Sequence, residues 1–130
     1  MLRNTEGGSG ERKDVKKLKN HLIGIDQGSR VLFSDFEDGG QMWTGEGPRE
    51  ARFPTEFSER FKTLPVVQVA LTMWDTDGKT NQRADLKAEE VTLEGFDLVF
   101  STWGDSRIAR VRADWIAIGE VRDTDEWDLY

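Results

Sequence analysis

From Ile23 onward the apolar positions fall in short runs of β-branched and aromatic residues, separated by Gly, Pro, Asp and Asn. Alternation with a period of two inside such runs marks antiparallel strands with one buried face. Residues 65–74 show it most clearly. Val67, Val69, Leu71 and Met73 point one way, and Val66, Gln68, Ala70 and Thr72 point the other. Residues 96–103 repeat the pattern with Phe96, Leu98 and Phe100 on one face. Along residues 107–119, Ala109, Val111, Ala113 and Trp115 alternate with Arg110, Arg112 and Asp114, and Trp115 is expected in the core. Further strands are expected over residues 30–36, 52–61 and 83–91, with Pro54 placing the second strand at a sheet edge or bulge. A Gly-rich loop runs from Asp38 to Pro48, a turn spans residues 75–82, and tight turns fall at Glu94-Gly95 and Gly104-Asp105. Six strands with partly apolar faces predict an all-β, six-stranded antiparallel sandwich. A single flat sheet could not bury so many aromatic side chains.

The chain has 130 residues, enough for one domain with one core. Residues 1–22 read as a flexible polar tail, Gly-rich and then basic, in which residues 11–22 could form a short helix although they lack an apolar stripe. Residues 23–119 form the domain, and residues 120–130 form an acidic tail carrying Trp127 and Tyr130. A formal net charge of −7 opposes binding to nucleic acid or to anionic lipid. No apolar run approaches the ~20 residues needed to span a bilayer, so membrane insertion is not expected. No secretory leader pattern is visible, which points to the cytoplasm or to release by a non-classical route, such as lysis or as part of a particle.

Catalysis finds little to work with. Cysteine is absent and His21 is the single histidine, so thiolate nucleophiles and multi-histidine metal sites drop out. The run Asp75-Thr76-Asp77-Gly78 resembles a calcium loop but lacks a third oxygen ligand before the glycine, and Leu86 stands where the closing glutamate belongs. No lysine–hydroxyl pair follows Gly45-Glu46-Gly47-Pro48, so it is not a phosphate loop. Glu89 and Glu90 are neighbours on a strand and face opposite ways, which rules them out as a glycosidase pair. No enzyme activity, cofactor or metal is assigned.

Several short pieces occur in a telling order. Phe61 stands before Leu64-Pro65-Val66-Val67, a strand ends at Trp74-Asp75, and Asn81-Gln82-Arg83 precedes the next strand. Then come Val91-Thr92-Leu93-Glu94-Gly95-Phe96, Thr102-Trp103 before a two-residue turn, and Trp115-Ile116-Ala117-Ile118-Gly119. In sequence and spacing this series resembles the H-type lectin domain. The resemblance implies a six-stranded sandwich assembling as a homotrimer, with a metal-free sugar site between protomers and a preference for galactose or N-acetylgalactosamine. It maps the site onto Arg83, Trp103, Gly104 and Asp105 of one chain and onto the loop near residues 27–32, including Ser29, of the next. The family pattern has a histidine at Gly104, an acid near Leu32 and an aromatic residue near Ala109. Asp35, or Ser34, is close enough in sequence to replace that acid.

The residue types suit a sugar. A pyranose needs an exposed ring for its C–H face and fixed polar groups for its hydroxyls. An arginine fork can bridge two hydroxyls, and an aspartate can accept from two. Each of these residues also has a plain structural explanation. Trp103 could pack a loop, Arg83 could pair with Asp85 or Asp75, and Asp105 could simply make a turn. Two functions follow: a non-catalytic lectin recognising surface glycans, as in cell adhesion, or a trimerising or docking module of a larger assembly whose sugar site is degenerate.

Overall fold

Two strands occupy the middle of the molecule because their inward side chains are the most completely buried. Leu98 and Phe100 on one, and Val111, Ala113 and Ala117 on the other, have no exposed surface. Burying each large apolar side chain contributes roughly 1.5–3 kcal/mol. The computed structural model describes residues 10, 12–19 and 21–123. The strands are β1 (Ile23–Phe33), β2 (Arg49–Glu56), β3 (Val66–Thr76), β4 (Asp85–Glu89), β5 (Gly95–Thr102) and β6 (Ile108–Glu120). They form two three-stranded antiparallel sheets, ordered β1-β6-β3 and β2-β5-β4. The expected six-stranded sandwich is therefore the fold.

The alternation in β3, β5 and β6 translates directly into burial. Val67, Val69 and Leu71 pack on the core, and a bulge then shifts the register between Leu71 and Met73. Phe57, Phe61, Phe96 and Trp115 build an aromatic cluster at one end, with ring centroids 5.0–5.9 Å apart. Trp115 is only 8% exposed, as its place in the pattern predicts. β2 is an edge strand, so Pro54 sits where a missing N–H is tolerated.

Element boundaries depart from expectation in instructive ways. The first strand begins at Ile23 instead of residue 30, because Gly24 and Gly28 lie within it. A β-carbon at Gly28 would stand 2.7 Å from Trp115 Nε1, and one at Gly24 would stand 2.5 Å from Val121 Cγ1. These glycines admit neighbouring side chains; they do not break the strand. The first strand also ends earlier than expected, at Phe33, and Phe36 belongs to a helical turn, α1 (Asp35–Asp38). A second turn, α2 (Gln41–Thr44), lies inside the expected loop. The second strand covers Arg49–Glu56 and leaves Phe57 and Phe61 to fill the core from a loop. The fourth is shorter than expected, covering Asp85–Glu89. β6 reaches Glu120, one residue past the expected end of the domain, and Val121 bridges Phe61. Residues 12–19 adopt neither helix nor strand. Among the described residues no helix is long and apolar enough to cross a membrane.

Candidate functional site

Three loops meet at one end of the sandwich. They connect β1 to β2 with α1 and α2, β3 to β4, and β5 to β6. The last is the tight turn after Trp103. Gly104 sits there at φ +68°, a conformation that other residues rarely adopt. A β-carbon at this position would lie 3.0 Å from Arg83 Nη1, so a side chain would compete with the guanidinium for the same space.

Arg83 is held from both sides of that turn. Its carbonyl accepts a hydrogen bond from the Thr102 hydroxyl, and its N–H donates to Ser106 Oγ at 3.0 Å. Both hydroxyls are buried. The guanidinium Nη1 donates to Asp105 Oδ1 at 2.7 Å. Asn81 Nδ2 donates to the same carboxylate at 3.2 and 3.3 Å. The Arg83 bond first, and the Asn81 bond second, hold the Asp105 carboxyl below its ordinary range. Arg83 thus forms an ion pair, and its partner is Asp105 in place of the Asp85 or Asp75 that the sequence suggests. Trp103, between Thr102 and Gly104, is 45% exposed and presents its indole to solvent.

Other expected site residues lie apart from this group. Ser29 is on the outward face of the β1-β6-β3 sheet, where its hydroxyl donates to Asp114 at 2.5 Å. Thr72 donates to the same carboxylate at 3.0 Å, and together they lower its pKa. Asp35 begins α1, and its carboxylate accepts the Met42 N–H at 2.9 Å, tying α1 to α2. Asp35 therefore organises its own loop. Asp77, from the calcium-like run, caps Lys79 N–H and pairs with Arg107.

Arg49 has no counterpart in the sequence reading. It is only 6% exposed, and its guanidinium donates to four carbonyls. These are Gly47 at 2.9 Å and Gln41, Met42 and Gly104 at 3.2 Å. Gly47 N–H also donates to the Gly104 carbonyl at 2.9 Å. Arg49 thus fastens the α1–α2 loop to the turn that carries Trp103. Its sequence context, Gly-Pro-Arg at the end of a Gly-rich loop, reads as solvent-exposed and gives no sign of this role.

Known proteins share the sequence pattern and the fold. A family model described as the H-type lectin domain matches residues 52–118. The chain belongs to the H-type lectin domain family. The family match contains Arg83, Trp103, Gly104 and Asp105 but stops short of Ser29, Asp35 and Arg49. This lectin domain is 62% identical over 107 residues to the ATP synthase subunits region ORF 7 protein of Fuscovulum blasticum, covering 82% of the chain and 93% of that protein. It is 32% identical over 71 residues to discoidin-2 of Dictyostelium discoideum, covering 54% of the chain but 26% of the discoidin. Its fold is that of Dictyostelium discoidin II, with a TM-score of 0.67 at 24% identity, covering 82% of this chain and 40% of that one. Membership of this family supports carbohydrate binding at the level of the family.

Proposed function

We propose that the domain recognises a glycan without catalysis, at sites formed between the protomers of a homotrimer. Trp103 stacks on the apolar face of a pyranose, while Arg83 and Asp105 hold its hydroxyls. Gly104 leaves the ring room to approach. Ser29 and Asp35 of a neighbouring protomer close the site, and galactose or N-acetylgalactosamine is the sugar class. The observation that carries this reading is the exposed indole of Trp103, on a turn whose Thr102 and Asp105 both bond Arg83. A sugar face requires an exposed indole together with a fixed fork and a fixed carboxylate.

The trimer draws support from the outward face of the β1-β6-β3 sheet. Ile25, Ile118 and Val66 align across the three strands in one row. Ile25 is 66% and Val66 52% exposed, and Ile116 adds to the same face. An exposed apolar row of this kind fits a contact between protomers. One shallow site with net bonds of roughly 1 kcal/mol each binds weakly, and several sites on one assembly raise avidity without new contacts.

A glycan array tests the proposal. The wild-type chain gives a galactose-type signal that Trp103→Ala and Arg83→Ala remove, while sedimentation shows an intact trimer for all three. The second reading, a docking or trimerising module, is favoured by one observation: the Arg83 fork already has a partner in Asp105. A trimer with a blank array would support it, and a monomer at tens of micromolar would count against the site between protomers.

A further inference from the structure

We propose that the groove beside Phe36 is a second carbohydrate subsite, taking a further neutral sugar ring of the same glycan that docks at Trp103. This rests on the reading of the loop end as a sugar site. Phe36 is 61% exposed, yet its ring is not loose. It stands edge-on to Trp43, with centroids 5.1 Å apart and an interplanar angle of 85°. Trp43 is held in turn by Arg107, whose guanidinium lies 4.1 Å from the indole centroid. Arg107 Nε donates to the Trp43 carbonyl at 3.0 Å, and Nη1 pairs with Asp77 at 3.3 Å. The Asp35 carboxylate locks α1 onto α2 from below. Four residues thus fix an apolar ring in water, where the hydrophobic effect alone would turn it inward.

A groove of about 190 Å³ opens next to that ring, lined by Ser34, Phe36, Glu37, Asp75, Ala109 and Arg110. Arg110 Nε pairs with Asp75 at 3.3 Å, and both side chains are about half exposed. Among the described residues the two Nη groups of Arg110 have no acceptor. Ring, fork and carboxylate are the set a pyranose needs, and the loop end therefore carries it twice. Two acids to one base around the groove favour a neutral sugar over an acidic one.

The two places are mechanically continuous. Arg107 and Trp103 are four residues apart on one turn, so their Cα atoms lie within about 14 Å. Ser34, Phe36 and Glu37 stand outside residues 52–118, whereas Asp75, Ala109 and Arg110 lie inside them, so the aromatic wall of this subsite comes from the β1–β2 loop and its fork from the part the family model matches.

Calorimetric titration of the full chain with galactose, and with a neutral tetrasaccharide ending in galactose, tests the idea. The wild type should bind the tetrasaccharide ~5- to 10-fold more tightly than galactose. Phe36→Ala and Arg110→Met should each erase most of that gain and leave the galactose affinity unchanged. Trp103→Ala should abolish binding of both. Since Phe36 and Arg110 are exposed, the variants should melt as the wild type does. If Phe36→Ala and Arg110→Met keep the full preference for the longer ligand, the second subsite does not exist. If the wild type binds neither ligand, the sugar reading of the loop end fails and the subsite falls with it.

Discussion

Replacing Arg49 with methionine removes four hydrogen bonds and keeps most of the side-chain length. The bond to the Met42 carbonyl is buried, so that oxygen is left unpaired at a cost of about 1–3 kcal/mol. The bonds to Gly47, Gln41 and Gly104 are part-buried, and water can replace them at about 0.5–1.5 kcal/mol each. Relief of a buried positive charge offsets part of this loss. The net expectation is a destabilisation of about 2–4 kcal/mol. At about 2.1 cal/mol/K per residue, this lowers the Tm by about 7–15 °C for a chain of 130 residues. Urea unfolding followed by tryptophan fluorescence, at one fixed protein concentration, should show a lower midpoint at an unchanged slope. Arg49→Lys should recover only part of the stability, because an ammonium cannot reach carbonyls on three segments at once. The same variants should weaken glycan binding, since the Gly104 turn loses its anchor. A loss below about 1 kcal/mol for Arg49→Met would show that the carbonyls are satisfied without the guanidinium, and the clamp argument would fail.

Asp105 makes a pH prediction with a definite sign. Its carboxyl lies below the ordinary value of 3.8 because Arg83 and Asn81 bond the charged form. The stabilisation is therefore complete above that value and disappears as the pH falls through the lowered one. Carboxyl-carbon NMR titration should place Asp105 below 3.8 in the wild type and return it towards 3.8 in Arg83→Gln. Gly28→Val should lose about 1–3 kcal/mol in a thermal melt and alter the near-ultraviolet signal of Trp115, whose Nε1 lies 2.7 Å from the new β-carbon. Val66→Glu should give a folded monomer by sedimentation, because symmetric copies would bring carboxylates together on an apolar contact. A trimer that survives this change would move the interface elsewhere.

β3, β5 and β6 were legible because each buries one face, and a period of two records that burial. The start of β1 was not legible, because Gly24 and Gly28 signal a loop when the Val121 and Trp115 side chains that fill their space lie far away in sequence. α1 and α2 are single turns, too short for any periodicity to form. At the site, Trp103, Gly104 and Asp105 could be read together as one turn, and Arg83 through its resemblance to a family position. The partner of Arg83 could not. Asp85 and Asp75 are nearer along the chain, but the β5–β6 turn folds over Arg83 and brings Asp105 to 2.7 Å. The Arg49 clamp and the Phe36–Trp43–Arg107 stack join the β1–β2 loop to β2 and to the β5–β6 turn, and no local spacing in that glycine- and acid-rich loop records such contacts.

The Val121 N–H donates to the Leu22 carbonyl at 3.2 Å, so the chain enters and leaves the sandwich at adjacent points. Those points adjoin the end of the molecule opposite Trp103, since β6 runs from the loop turn at Ile108 to Glu120. Any tether attached on either side of the domain therefore pulls from behind, and the loops around Trp103 face away from it.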